Sequence, residues 1–407
     1  MLVAVGEDRH QIAVLEEGTL IEHYVAHAHS ESIVGNIYMG KVQNVLPGME
    51  AAFVDIGVQK NAVLYAKEVG YDEEVDGANP SIETVLKNGQ SILVQATKDP
   101  MGSKGARLTM QVSLPGRYLV LLPDSDFIGI SRQLPDDERG RLKGIADRVK
   151  PPDFGMIVRT AAEGAGEDEL DRDVASLVKT WYDVYGKRRK VKAPKLVYKE
   201  PELAIRVVRD LFTRSVEKLV VDDKGVYDSL RTYVSEVTPD LGERIELYSG
   251  KLPIFESFHV TEQIYKALDR RVWLPSGGHI VIDKTEAMTV IDVNTGKFVG
   301  RSNLEDTVLK TNLEAGEEIA RQLRLRDIGG IIVIDFIDLM EEKNRNDLLR
   351  AFKDALAKDK TRTQVFGVSE LGIVQMTRKR VSEGLLEAFS EPCEVCSGRG
   401  RVVTGLD

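Results

Sequence analysis

Two apolar segments in the C-terminal third each carry an aspartate near their end, and a long amphipathic helix is predicted between them. The first is "TVIDVN", with Asp292, and the second is "GGIIVIDFIDLM", with Asp335. Eight of the twelve residues in the second segment are Ile, Val, Phe, Leu or Met, which predicts a strand buried on both faces. Because a strand–helix–strand crossover usually makes its strands parallel neighbours, roughly 4.8 Å apart, both aspartates should leave the same edge of one sheet.

Such a pair of carboxylates must either share a proton or hold a cation, since like charges at close range repel. Asn294 lies two residues after Asp292, on the same strand face, and adds a neutral oxygen. A few hard oxygen ligands with open positions suit Mg²⁺, so the pattern predicts metal-assisted cleavage of a phosphate ester. The alternative is that each aspartate only caps a turn. We interpret Asp338 as a helix cap or a supporting residue rather than a ligand.

The composition is that of an ordinary globular protein, with 407 residues, 42% hydrophobic and 29% charged. A single core rarely grows past about 250–300 residues, so several domains are expected. The net charge of −10 argues against a protein that coats nucleic acid by charge alone. A local basic segment, "GKRRKVKAPK" at 186–195, is either a solvated helix end or a phosphate-contacting patch. Early acids and the lack of a long apolar run predict a cytoplasmic chain without a signal peptide or membrane segment.

Five short β-rich runs with glycine-rich turns lie between about residues 35 and 115. They predict a small closed barrel of the OB type, a fold that binds single-stranded nucleic acid on one face. The residues before the barrel predict an antiparallel meander, and the alternating strands and helices of the C-terminal third predict an α/β layer.

The only two cysteines, Cys393 and Cys396, stand in "EPCEVCSGRGR". This spacing before Ser-Gly is typical of half a zinc site. No other cysteine exists, and no histidine lies near the C-terminus, so the remaining ligands would come from a second chain. The sequence therefore predicts a Zn²⁺-bridged homodimer, with a redox dithiol as the alternative.

Taken together, these segments resemble the ribonuclease E/G family across nearly the whole chain. The resemblance depends on "NIYMGKV…EAAFVDIG", "IVRTA", "LPSGGHIVIDKTEAMTVIDVN", "TNLEAGEEIARQLRLRDIGGIIVIDFIDL" and "CEVCSGRG". It implies a metal-dependent endoribonuclease of RNA processing and mRNA decay. Such an enzyme cuts single-stranded, A/U-rich RNA and leaves a 5′-phosphate and a 3′-hydroxyl.

The resemblance also implies roles for particular residues. Asp292 and Asp335 match the Mg²⁺ ligands, and Asn294 matches a residue that positions the ion or the scissile phosphate. The RNA-contacting positions match Phe53, Lys104 and Arg362, while a second aromatic of the barrel falls on Val63. A pocket for a 5′-monophosphate is implied at Gly116, Val120, Arg159 and Thr160, where Arg159 offers a bidentate fork and Thr160 a hydroxyl.

The implied architecture is a multidomain α/β fold. An RNase H-like subdomain is split between residues 1–34 and 200–270. Between its halves lie an S1-type OB-fold β-barrel at 35–115 and a 5′-sensor region at 116–199. A DNase I-like α/β catalytic subdomain follows at 271–390, then a zinc-link at 391–407. The family's larger members continue into a small dimerisation domain, whereas this sequence stops at Asp407. A zinc-linked dimer is therefore expected, and a higher oligomer is left open.

Two other functions compete with the nuclease. An RNA-binding scaffold with an idle site is disfavoured because both aspartates and Asn294 are present. A metal-dependent phosphoesterase for small substrates is disfavoured by the predicted barrel and the basic loops.

Overall fold

The computed structural model describes residues 1–27, 32–70, 81–100, 104–295, 304–359, 361–369, 372–380, 384–396, 398 and 400–401. The chain forms two compact units. Unit 1 comprises residues 1–28, 219–223 and 247–407, and unit 2 comprises residues 29–218 and 224–246.

Unit 2 contains most of the strands of the first half of the chain and five of the helices. Its strands are β4 (Ile37–Leu46), β5 (Ala51–Asp55), β6 (Ala62–Tyr65), β7 (Ser91–Lys98), β8 (Arg107–Thr109), β9 (Leu114–Pro115), β10 (Leu119–Pro123), β11 (Ile128–Ile130), β12 (Phe154–Val158) and β13 (Lys195–Tyr198). Its helices are α1 (Ile82–Val85), α2 (Asp136–Val149), α3 (Glu167–Arg188), α4 (Leu203–Leu211) and α5 (Lys224–Val237).

Unit 1 is assembled from the chain's beginning, a short middle piece and its C-terminal part. Its strands are β1 (Leu2–Val5), β2 (Arg9–Glu16), β3 (Thr19–His27), β14 (Leu219–Val221), β16 (Arg271–Trp273), β17 (His279–Lys284), β18 (Met288–Asn294), β19 (Gly330–Asp335), β20 (Thr363–Val368) and β21 (Ile373–Arg378). Strand β15 (Ile245–Leu247) spans the point where the chain returns to this unit. Its helices are α6 (Ile254–Ser257), α7 (Val260–Leu268), α8 (Leu304–Leu325), α9 (Glu342–Leu356) and α10 (Leu385–Ala388).

The predicted OB-type barrel is confirmed in unit 2. Strands β4, β5, β6, β8 and β7 are neighbours in that order, and pairing between β4 and β7 closes the ring. Alternate apolar residues of these strands fill the interior, among them Val42, Val54 and Val94. A Cβ on Gly40 would lie 2.5 Å from Val54 Cγ1, so this position of β4 has no room for a side chain.

A second, four-stranded sheet follows the barrel in unit 2, in the order β11-β12-β10-β9. Its buried residues, including Leu121 and Met156, pack with Leu142 of α2 and with Leu170 and Trp181 of α3. Helix α3 is 22 residues long and runs from Glu167 to Arg188. The residues between β9 and β10 are thereby held against a long, rigid helix.

The predicted N-terminal meander is also confirmed, since β1, β2 and β3 of unit 1 pair antiparallel in succession. Strand β14 adds to it in parallel, with Leu2 opposite Val220. Residues more than two hundred positions apart therefore share one sheet.

The remaining six strands of unit 1 form a sheet in the order β16-β17-β18-β19-β21-β20. Its buried side chains, such as Ile291 and Ile334, pack with Ile319 of α8 and Phe352 of α9. The prediction that the "GGIIVID" strand is buried on both faces is wrong, because burial alternates along β19 and Ile331 is 48% exposed. Ile332 and Ile334 are buried in the core with α8 and α9, while the strand face that carries Ile331 is open to solvent.

Candidate active site

Asp292 and Asp335 lie side by side on the exposed face of the six-stranded sheet. Strands β18 and β19 are parallel, and the register pairs Asp292 directly with Asp335. Both side chains are exposed, while Ile291, Val293 and Ile334 beside them are buried. Since neighbouring strands are roughly 4.8 Å apart, the two carboxylates emerge close together, as the crossover argument predicted.

Asn294 joins this pair from the next outward position of β18. Its Nδ2 donates to Asp292 Oδ2 at 2.8 Å, which fixes one oxygen of that carboxylate. A Cβ on Gly278 would lie 2.7 Å from the Asn294 carbonyl oxygen, so only glycine lets the preceding turn approach this strand. The exact position of Asn294 thus depends on a neighbouring backbone as well as on its own strand.

The chain that follows Asp335 is held by a buried amide of α8. Asn312 is fully buried, its Nδ2 donates to Ile337 O at 2.7 Å, and its Oδ1 accepts from Ile337 N at 3.1 Å. Both ends of the Asn312 amide therefore fix the backbone two residues beyond Asp335. Sequence reasoning missed Asn312, although an asparagine near the buried stripe of α8 is the signal that would have identified it.

Asp338 is exposed, and its interpretation as a helix cap is wrong. Helix α9 follows the N-cap residue Glu341, and Glu305 of α8 accepts hydrogen bonds from the N–H groups of Met340 and Glu341. The hydrogen bond from Asn344, followed by that from the Glu341 N–H, lowers the pKa of Glu305. A charged carboxylate from one helix therefore caps the next.

The donor set of the site fits a divalent cation. Two exposed carboxylates on adjacent strands and one amide oxygen supply hard oxygen atoms from one side only. Among the described residues, no third His, Cys, Asp or Glu joins them in a cluster. An ion bound here would keep open positions for water and a phosphate.

In the barrel, the structure places Phe53 and Val63 opposite each other on β5 and β6. Both are half-buried, and Arg107 of β8 is the cross-strand partner of Val63. The Arg107 guanidinium lies 4.7 Å from the centroid of the Tyr65 ring. Lys104 is exposed just before β8. The face that carries Phe53 thus combines aromatic, apolar and cationic groups.

The residues predicted to bind a 5′-phosphate meet at one end of the four-stranded sheet. Arg159 Nη1 donates to Gly116 O at 2.7 Å and pairs with Asp210 Oδ1 at 2.8 Å. Thr160 Oγ1 lies 2.8 Å from Ser131 Oγ. Val120 is on β10, opposite Ile157. Both contacts of Arg159 use Nη1, so the other edge of its guanidinium can face a ligand.

Asp173 of α3 is a second buried residue that the sequence analysis missed. Its carboxylate accepts backbone hydrogen bonds from Arg117, Tyr118 and Leu119 at 2.8–3.2 Å. A Cβ on Gly116 would lie 2.5 Å from Asp173 Oδ2, so the carboxylate requires glycine there. Burial raises the pKa of Asp173, although the three hydrogen bonds act to lower it. The signal in the sequence is an acid three residues after Leu170, on the apolar stripe of the helix.

Arg362, the two cysteines and the basic segment are the remaining predicted positions. Arg362 is exposed and lies directly before β20. The first residue of β20 pairs with Arg378, and Arg378 pairs with Gly330 at the start of β19. Arg362 therefore lies near the opposite end of β19 from Asp335.

Cys393 is exposed, and Cys396 Sγ accepts a hydrogen bond from Gly400 N at 3.3 Å. The basic segment begins in the last turn of α3, and its Lys and Arg side chains are exposed. Arg188 and Arg189 each lie 5.3 Å from the centroid of the Tyr185 ring.

Comparison with known proteins identifies the chain's relatives. It is 43% identical to Ribonuclease G of Haemophilus influenzae and to Ribonuclease G of Escherichia coli, over 99% of this chain and 84% of each relative. It is 41% identical to Ribonuclease E of Synechocystis, over 97% of this chain and 59% of that protein. No helix in the described ranges is both long and apolar enough to cross a membrane. Residues 113–381 match the sequence model of the Ribonuclease E/G family, and the chain belongs to that family.

Proposed function

We propose that this chain cuts single-stranded RNA at internal phosphodiester bonds with a divalent cation, Mg²⁺, held between Asp292 and Asp335. As a member of the ribonuclease E/G family it is an endoribonuclease. The observation that carries the proposed mechanism is the register of β18 and β19, which makes the two exposed aspartates direct neighbours. The expected products carry a 5′-phosphate and a 3′-hydroxyl.

Each residue of the site has a definite task in this mechanism. When bound, a divalent ion supplies positive charge that neutralises the scissile phosphate and acidifies the attacking water. Asp292 and Asp335 would hold that ion, and the hydrogen bond from Asn294 Nδ2 orients Asp292. Asn294 Oδ1 would supply a further oxygen for the ion or a contact for the phosphate. Asn312 keeps Asp335 in place through the backbone of Ile337, so little rearrangement is needed when substrate binds.

Unit 2 would contribute to RNA binding. We propose that Phe53 stacks on a base and that Lys104 and Arg107 contact phosphates on the barrel face. Arg159 and Thr160 would bind a 5′-monophosphate, with Asp173 holding the 116–119 turn in a shape that allows this. Processing and decay of A/U-rich RNA by a cytoplasmic enzyme remain predictions from the family.

The two cysteines are proposed to share one Zn²⁺ with the same pair from a second chain. Hydrogen bonds from the backbone N–H of Cys396 and then of Val395 lower the pKa of Cys393, which favours the thiolate that zinc requires. Gly400 N donates a hydrogen bond to Cys396 Sγ at 3.3 Å. Within the described residues no further ligand joins the two thiols, so a complete tetrahedral site needs a partner.

The proposed function is tested with an A/U-rich oligoribonucleotide made in 5′-monophosphate and 5′-hydroxyl forms. The parent should cleave it internally with Mg²⁺ and lose activity in EDTA, with the monophosphate form cut faster. Asp335→Asn should lower kcat at least 100-fold while RNA affinity stays within twofold, because the carboxylate acts on the ion and not on the RNA chain. The matched control is Asp338→Asn, an exposed aspartate three residues away, which should keep near-parent activity. Parent-like cleavage by Asp335→Asn would refute the mechanism.

A further inference from the structure

An unusually exposed tryptophan lies on the same sheet face as the candidate active site. The chain has two tryptophans, of which Trp181 is 7% exposed and Trp273 is 65% exposed. The Trp273 ring lies 5.2 Å from the His279 ring, centroid to centroid, and the Arg271 guanidinium lies 5.6 Å from the Trp273 centroid. Three groups with flat π-systems therefore cluster at the surface of unit 1.

The register connects this cluster to the site directly. Trp273 pairs with His279 across β16 and β17, and His279 pairs with Asn294 across β17 and β18. Directly paired residues of antiparallel strands project from the same face, so all three side chains share the open side of the sheet. Two strand spacings place Trp273 roughly 10 Å from Asn294. This is within reach of a nucleotide that flanks a phosphate at Asp292 and Asp335.

The cluster is also held in a fixed shape. Trp273 and His279 stand on the two sides of a tight turn in which Leu274 N donates to Gly278 O and Gly277 N donates to Leu274 O, both at 2.9 Å. Ser276 N donates to Glu314 Oε2 of α8 at 2.8 Å and ties the turn to the helix below. A preorganised aromatic surface loses little entropy when a flat ligand stacks on it.

We propose that Trp273 and His279 form a base-stacking subsite for the nucleotide next to the scissile phosphate, with Arg271 contacting the adjoining phosphate. This inference rests on the proposed RNA cleavage and adds a binding site to it. The Trp273 indole is 65% exposed, and a nucleobase of any type can stack on such a surface. The subsite would hold the RNA strand across the open face and so align the phosphate with the carboxylates.

Binding is tested by tryptophan fluorescence in the Asp335→Asn background, in which RNA is not consumed. The contribution of Trp273 is obtained by subtracting the fluorescence emission of Asp335→Asn/Trp273→Phe from that of Asp335→Asn. The remaining tryptophan, Trp181, is buried and is present in both variants. A short single-stranded RNA should quench that signal, and an RNA with one abasic residue beside the cleavage position should quench it far less. Equal quenching by both RNAs, or no quenching, would overturn the subsite. Low acrylamide access to Trp273 without RNA would also overturn it, because a protein surface would then cover the ring.

Kinetics provide a second readout that a merely structural role would not reproduce. Trp273→Ala should lower kcat/KM about 10-fold on the intact RNA, a typical loss for one stacked base, and should have little effect on the abasic RNA. Trp273→Phe should restore most of the activity, whereas Trp273→Leu should not. The matched control is Tyr265→Ala, which removes an aromatic that is 70% exposed on α7 of the same unit and should leave kcat/KM unchanged. An equal loss on both RNAs would refute stacking.

A parent that binds RNA but does not cleave it would instead refute the proposed function, while the quenching result would still decide the subsite.

Discussion

His23 of β3 is a buried histidine in an aromatic setting. Its ring lies 6.1 Å from that of Phe255 and 5.8 Å from that of Phe389, and Nε2 lies 3.2 Å from Gln11 Oε1. Burial lowers the pKa of His23 to about 4, well below the ordinary value of 6.5. The folded protein therefore keeps this ring neutral at pH values where the unfolded chain takes up a proton.

The sign of the resulting pH dependence follows from proton linkage. The stability associated with a neutral His23 is fully present above pH 6.5 and is lost as the pH falls towards about 4. The loss reaches at most about 3 kcal/mol. We expect the free energy of unfolding, measured by denaturant titration between pH 7 and pH 4.5, to fall more steeply for the parent than for His23→Leu. Parallel pH profiles for the two proteins would contradict this assignment.

At the scale of single residues, the sequence predicted the exposed polar residues of the candidate site better than the buried groups around them. Asp292, Asn294 and Asp335 were predicted because strand period and crossover rules place them on one edge. Asn312 and Asp173 were missed, because each bonds to backbone 25 or more positions away, at Ile337 and Tyr118. No local rule encodes such a partner. Only the folded packing shows which buried polar residue meets which turn.

At the scale of elements, the sequence predicted the two strands that carry the aspartates and the long helix between them. Hydrophobic periodicity predicted helix α8, and the crossover rule predicted that β18 and β19 are parallel neighbours. Burial of β19 on both faces was wrong for a physical reason. An apolar run shows which residues can be buried, but β19 has helices on one face only, and Ile331 on the other remains 48% exposed.

The contact between α8 and the end of β19 carries a prediction at this scale. Asn312→Leu keeps the shape of the side chain but leaves the N–H and C=O of Ile337 without partners, which should lower the free energy of unfolding by about 2–4 kcal/mol. Because the backbone after Asp335 loses its anchor, we also expect kcat to fall at least 10-fold at a temperature where the variant is folded. Thermal denaturation and single-turnover cleavage measure the two effects.

The control for Asn312→Leu is Thr311→Val on the same helix. Thr311 is equally buried, but its hydroxyl donates to Thr307 O within α8 and not to the loop. Thr311→Val should lower the free energy of unfolding slightly and leave kcat unchanged. If Asn312→Leu cleaved as fast as the parent, Asp335 would not depend on this clamp.

At the scale of the whole molecule, local patterns predicted the barrel, whereas the family resemblance implied a subdomain split between residues 1–34 and 200–270. Turn spacing and β-rich runs are local signals, and they were sufficient for the closed barrel. The parallel pairing of β1 with β14 joins Leu2 to Val220, and no local pattern records a contact of that length. The subdomain boundaries taken from the family remain predictions.

The zinc-bridged dimer makes a prediction about stoichiometry. The parent should contain one zinc per two chains and have the mass of a dimer, measured by metal analysis together with light scattering. Cys393→Ser should lose both zinc and the dimer, because only two protein ligands would be left for the ion. Val395→Ala, at a 74% exposed position inside the same turn, is the matched control and should keep both. One zinc per single chain, or an unchanged assembly in Cys393→Ser, would contradict the shared site.

The discontinuous make-up of unit 1 has a consequence for its biosynthesis. The N-terminal hairpin, made of β1, β2 and β3, leaves the ribosome before β14, which pairs with β1 and is translated about 190 residues later. At roughly 5–20 residues per second, the hairpin waits about 10–40 s for that strand. Unit 2 is complete once Glu246 has emerged, whereas unit 1 needs the C-terminal segment as well. Nascent chains halted before residue 247 should therefore carry a finished barrel and an unfinished nuclease.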